Sequence, residues 1–148
     1  MIRQVEVSDK KILIEIAQKY LTRLYSPQDD KITEWVTGTA FKQAWVFEQD
    51  DNIAGLLVLK NNPNKDYVKI STLIVPKDYR GLGVGSSLLK KAVEYTKQSG
   101  KNNLSVTVSE GLENMISFLR DNDFEIIDEL TDKYIKGKTE YVFLRQVQ

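Results

Sequence analysis

The stretch Ser71-Thr-Leu-Ile-Val-Pro-Lys-Asp-Tyr-Arg80-Gly-Leu-Gly-Val-Gly85-Ser-Ser-Leu-Leu-Lys90 decides how this chain is read. It opens inside a run rich in branched residues, 67–75, which suits a long buried strand. Pro76 cannot donate to a strand ladder and ends it. Gly81, Gly83 and Gly85 follow, and Val84, Leu88, Leu89, Ala92, Val93 and Tyr95 then supply the apolar side of a helix over 83–99. A helix start exposes N–H groups that have no intrahelical partner and carries partial positive charge. Glycine lets a ligand oxygen approach the backbone closely. Acidic residues usually enrich a first helical turn, yet 83–89 holds none, while Arg80, Lys90 and Lys91 frame it with cations. The stretch predicts a strand, a turn and a helix that together receive a phosphate.

Spacing separates this turn from two familiar phosphate motifs. A P-loop ends in Gly-Lys-Ser/Thr, whereas here Gly85 is followed by Ser86 and Ser87. A dinucleotide fingerprint needs glycine at its first, third and sixth positions; counted from Gly81 the sixth is Ser86, and counted from Gly83 it is Leu88. A bare tight connection between strand and helix is the bland alternative.

Working outward, residues 2–7 read as a short strand, and Asp9 as the N-cap of a helix carrying Ile12, Leu13, Ile16, Ala17, Tyr20, Leu21 and Leu24. Pro27 suits the first turn of a second helix that buries Ile32, Trp35 and Val36. Strands 44–48 and 53–60 flank the turn residues Asp50, Asp51 and Asn52, and 61–65 with Pro63 leads to the long strand. Past the glycine turn, Gly100 is placed to end the helix, 104–108 is a strand, 111–122 a short helix, and 124–130 and 140–147 closing strands. The class is α/β, with mixed α+β character: a mixed sheet with helices on both faces, built as one domain over 1–148.

Composition narrows the chemistry. Of the residues, 41% are apolar and 28% charged, enough for a packed core. Twenty-one basic residues balance 21 acidic ones, so no general field draws the chain to nucleic acid or to an anionic membrane. There is no cysteine and no histidine, which excludes thiolate nucleophiles, thiolate zinc sites and a histidine base. No metal is expected. No apolar run reaches membrane-spanning length and no secretory signal is supported, so a cytoplasmic setting is expected.

Arg80-Gly-Leu-Gly83-Val-Gly85, preceded by Leu73-Ile-Val-Pro76 and followed by Leu88-Leu89, resembles the signature Arg/Gln-x-x-Gly-x-Gly/Ala of the GNAT superfamily of acyl-CoA-dependent N-acyltransferases. The element order of the whole chain resembles that family too. The resemblance implies a central, mostly antiparallel mixed sheet with a splayed strand pair. It also implies acetyl-CoA as the acyl donor and direct attack of a primary amine on the acyl carbonyl. The acceptor would be a small molecule or a peptide, and a homodimer is admitted. By the same resemblance, backbone N–H groups of Gly81, Leu82, Gly83, Val84, Gly85 and Ser86, with Arg80, hold the CoA pyrophosphate. Leu73, Ile74 and Val75 pair main chain with the pantetheine arm, and 104–108 splays away to admit the thioester.

The family's acid is missing from its usual place. Aligned on Phe124, Leu112 stands where the family has Asn, Leu119 where it has Tyr and Asp123 where it has Gly; Asn114 is out of register. Tyr134 and Tyr141 are the substitutes, with Tyr134 preferred because it lies outside a regular strand, and packing against the sheet is the plainer role for either. For the base, Glu110 follows strand 104–108, and strand ends of this kind face the site in α/β folds; a dipole-stabilising acid before Gly111 is the alternative. Ser71 or Thr72 holding a water is another route. Trp35, Trp45 and Tyr25 read as core and receive no role, and Lys133, Lys136 and Lys138 as solvated charges around a turn. Two other functions stay open: a CoA-binding regulatory module with impaired catalysis, and a binder of some other anion.

Overall fold

The computed structural model describes residues 1–21, 29–133 and 135–148. Leu24, Tyr25, Pro27 and Tyr134 therefore lie outside the described residues. Among the described residues, seven strands form one sheet in the order β1-β2-β3-β4-β5-β7-β6. They are β1 (Ile2–Gln4), β2 (Lys42–Gln49), β3 (Asn52–Lys60), β4 (Tyr67–Ile74), β5 (Asn103–Ser109), β6 (Glu125–Thr131) and β7 (Thr139–Gln146). The helices are α1 (Lys10–Tyr20), α2 (Asp29–Thr37), α3 (Val84–Gln98) and α4 (Glu113–Asp121). All strand pairs are antiparallel except β4 with β5. None of the described helices is long and apolar enough to cross a membrane.

The sheet buries both faces. On one side Leu57, Leu59, Val68 and Ile70 pack with Leu88, Leu89 and Ala92 of α3 and with Phe143. On the other, Val46, Leu56, Val58 and Ile74 pack with Leu13, Ile16 and Ala17 of α1 and with Ile32 and Trp35 of α2. Period-two alternation in β2 and β3 is what divides the two layers. Gly55 is fixed by packing: a Cβ there would come within 2.7 Å of Leu88 and Val84.

One expectation at the N-terminus needs correcting. The first strand stops at Gln4, and Val7 to Asp9 form a single 3₁₀ turn with Val7 67% exposed. Asp9 stands at the N-cap of α1 as expected, but its side chain makes no capping bond: the carboxylate accepts from both terminal guanidinium nitrogens of Arg3 at 2.9 Å and from the Glu6 N–H at 2.7 Å. A charged bidentate donor outcompetes a backbone N–H for the same oxygens. At the other end of the chain, α4 starts two residues later than expected, leaving Leu112 54% exposed at its N-cap.

Candidate active site

β4 and β5 pair only at Tyr67–Asn103, Val68–Leu104 and Lys69–Ser105. Beyond Lys69 they part, although β4 stays bonded to β3 through Ile74 and β5 to β7 through Ser109. The register of β4 against β3 slips between Ile70 and Thr72, which leaves Ser71 as a bulged residue. A bulge bends its strand and strengthens its twist. The inner edges of β4 and β5 are thus left open in the middle of a sheet. An extended ligand can complete such an edge through main-chain hydrogen bonds.

The parting opens a cavity of about 750 Å³ that reaches both faces of the sheet. Ile70, Leu73, Val106, Val108, Met115 and Leu119 line it from the α3 and α4 side. Trp35 and the β2–β4 lysines line it from the side of α1 and α2. The volume lies within the ordinary range of small-molecule sites.

The glycine turn stands at the end of β4. Gly81 has φ 78° and Gly83 φ 83°, a conformation that carries a steric penalty for residues with a Cβ. Gly83 is the N-cap of α3, no side chain among the described residues caps the helix, and its first turn holds no acid. Ser87 N–H is bonded to Gly83 O at 3.0 Å. Arg80, Gly81, Leu82, Gly83 and Ser86 are exposed, Gly85 is half-buried, and Val84 is buried beneath them against Gly55. Gly85 lies over Val75 and the Phe118 ring, so its missing side chain keeps the surface low. Arg80 donates through Nε to Val75 O at 2.9 Å, and its guanidinium lies 5.8 Å from the centre of the Tyr20 ring. Leu73 borders the cavity, Ile74 is buried toward α1 and α2, and Val75 is half-buried against the α3 layer.

Tyr20, at helical spacing on α1, packs partly buried against the α1 and α2 core, and its hydroxyl also accepts the Lys77 N–H at 3.0 Å while the residue borders the cavity. α1 thereby anchors the segment that leads into the glycine turn. No local pattern signals this bond, because the partner is 57 positions away.

At the far wall, Glu110 is half-buried beside the cavity and its N–H donates to Thr139 O at 2.9 Å. That bond brings Glu110 next to Glu140, which the sequence reading left inside a closing strand. Glu140 is 2% exposed, and Ser109 Oγ lies 2.7 Å from each of its carboxylate oxygens, donating to them. A buried carboxylate at a cleft can accept a proton and hold a cation. Tyr141 points to the opposite face, where it packs with the α3 layer. Leu119 is fully buried, and Met115 and Leu112 join it on the cavity wall, so α4 offers the gap only apolar side chains there. Trp45 is core, edge-to-face with Tyr95 at 5.3 Å, whereas Trp35 reaches the cavity.

Known proteins resemble this chain in sequence and in fold. Streptothricin acetyltransferase A of Bacillus subtilis (strain 168) is 38% identical over 58 residues, which are 39% of this chain and 33% of that protein. The chain thus matches about a third of the length of that relative. Among solved structures, the ribosomal-protein-S18-alanine N-acetyltransferase of Escherichia coli superposes with a TM-score of 0.84 at 14% identity, over 100% of this chain and 94% of that one. An aminoglycoside 6′-N-acetyltransferase complexed with coenzyme A gives 0.85 at 11% identity, over 100% and 97%. At such identities the superpositions establish the fold. Residues 11–124 match the profile of the Acetyltransferase (GNAT) family, and with a splayed β4–β5 pair beside an uncapped glycine turn, this chain belongs to that family.

Proposed function

We propose that the chain is an N-acetyltransferase that moves an acetyl group from acetyl-CoA to a primary amine by direct attack. The observation that carries this reading is the open gap between β4 and β5 beside the uncapped start of α3. Residues 81–86, with Arg80, would hold the pyrophosphate, and the free edge at Leu73, Ile74 and Val75 would bond the pantetheine arm. The amine nitrogen would attack the carbonyl carbon and the carbon–sulfur bond would break. A proton must then leave the nitrogen, and the departing sulfur must receive one. Glu140, oriented by Ser109, is the better placed acceptor of that proton, with Glu110 beside it. Tyr134, chosen on sequence grounds, is our proposed acid. The acceptor, a small molecule or peptide amine, and a cytoplasmic setting for one domain over 1–148 belong to the same proposal.

The test is release of free CoA from acetyl-CoA across peptides, polyamines, amino sugars and small amines, with CoA binding measured separately by calorimetry. Binding with turnover supports the reading, and failure to bind CoA overturns it. The apolar wall at Leu112, Met115 and Leu119 favours one alternative, a module that binds CoA without turning it over. Tight binding, no turnover with any amine and no change on Tyr134→Phe would select that alternative.

A further inference from the structure

Lys42 of β2 stands directly opposite Lys60 of β3, and Lys60 stands directly opposite Lys69 of β4. Residues directly opposite in an antiparallel sheet share a face, and here it is the face toward α1 and α2, since Lys42 and Lys60 keep the parity of Ala44, Val46, Leu56 and Val58. All three are half-buried, and all three line the cavity. Like charges placed opposite one another destabilise a sheet. Lys42 is relieved by Glu34 at 3.2 Å. Lys60 and Lys69 have no carboxylate within 4.0 Å among the described residues. Burial, then the charges of Lys133, Lys60 and Lys42, lower the Lys69 ammonium below its ordinary pKa.

The surroundings deepen the asymmetry. A chain with zero net charge lines this one cavity with six lysines and two glutamates. Both glutamates lie at the far end of the β5 wall: from Ser105, opposite Lys69, to Ser109 is about 13 Å of strand. The row also lies away from the glycine turn, because Lys69 and Ile74 are about 17 Å apart along β4. A pyrophosphate held at 81–86 therefore does not reach the row. A strand pair that keeps uncompensated ammonium groups at the fork of its cleft is arranged for an anion that enters with the other substrate.

Resting on the proposed acyltransfer, we infer that the acceptor amine carries an oxyanion, carboxylate or phosphate, which Lys60 and Lys69 bind at the fork of β4 and β5. The anionic end docks on the lysine row and the amine is left to face the gap and the carboxylate wall at Glu140. A polycationic acceptor meets repulsion at the same place.

The test uses the whole chain saturated with CoA, so that the glycine turn is filled. Phosphoethanolamine is titrated against ethanolamine, and β-alanine against β-alaninamide, by calorimetry at low ionic strength. At least one charged member should bind ten times or more tightly than its uncharged counterpart. Lys60→Gln with Lys69→Gln should remove that difference and leave CoA affinity unchanged. Equal binding within both pairs, or a preference that survives the double substitution, overturns the inference. Turnover of the preferred amine should lose its advantage in KM and keep its kcat. Should CoA fail to bind, the acyltransferase reading falls, and the same titrations on the free protein still decide whether the lysine row binds oxyanions. A loss of CoA affinity in the double variant would assign the row to the cofactor and also sink the inference.

Discussion

The two ends of the cleft are built in opposite ways. The glycine turn at 80–86 is local: strand, positive-φ glycines, helix start and flanking cations follow one another within a single short stretch. The far wall is assembled from distant parts. Ser109 and Glu140 are 31 positions apart, and the lysine row needs three strands in register. A backbone cradle needs only the right dihedrals, which nearby residues dictate, whereas a side-chain pair needs two strands held at a fixed register by the whole sheet. Damage should differ accordingly. A change at the turn should strike cofactor binding alone, and a change at the wall should strike the chemical step or the acceptor.

Gly83→Glu tests the turn and carries the largest expected effect. It places a carboxylate where the pyrophosphate would lie and a Cβ at φ 83°. The strain costs about 1–2 kcal/mol, and the new Cβ meets no atom within 4 Å, so the fold should survive with a slightly lower Tm. The CoA dissociation constant should rise at least a hundredfold by calorimetry; unchanged affinity would falsify the assignment of the cradle. Next comes Glu140→Gln at the wall. Loss of a general base lowers rate by about 10²–10⁴-fold, so kcat should fall on that scale while CoA affinity stays within twofold. If Glu110→Gln causes that fall and Glu140→Gln does not, the base is Glu110.

Tyr20→Phe probes the seam between the two regions. It deletes the acceptor of the Lys77 N–H without removing the ring beneath Arg80. A neutral hydrogen bond contributes about 1 kcal/mol, which is about a fivefold weakening of CoA binding; no weakening at all would mean that the turn holds its shape unaided. The smallest effect is expected far from both regions, at Asp9. The Arg3 hydrogen bonds hold the Asp9 carboxyl below its ordinary pKa, against the opposing influence of burial. A depressed folded value means that the stabilisation is complete above the ordinary carboxyl pKa of about 3.9 and is lost as pH falls through the lower folded value. Asp9→Asn should therefore cost about 1 kcal/mol at neutral pH and flatten the acid limb of the stability curve, with CoA binding unaltered. A melting series from pH 2 to 7 would show whether the limb flattens.

Particular residues show where reading the sequence reached its limit. The sheet class, the order of strands and helices and the hairpin at Asp50 and Asp51 follow from periodicity and turn chemistry, and both aspartates adopt positive φ as that turn requires. Gly100, at φ 74°, ends α3 where a left-handed residue was expected. The roles of Tyr20 and Glu140 were not legible in the sequence because each bonds a partner on another element. Glu140 sits in a strand whose own alternation, with Phe143 buried on the opposite face, says only that it points away from the α3 layer. Glu110 could be singled out in the sequence because a strand end is a local feature, and it borders the cavity.

Consecutive residues alone dictate that strand β4 runs through three glycines into a helix whose first turn holds no acid, because φ preference, helix-end charge and missing side chains are local properties. Long-range packing sets where β4 and β5 part after Lys69, brings Glu140 to Ser109 and lines up Lys42, Lys60 and Lys69 in one row. Those depend on strand register, which is fixed by packing both faces of the sheet at once, and no single stretch of the chain carries that information.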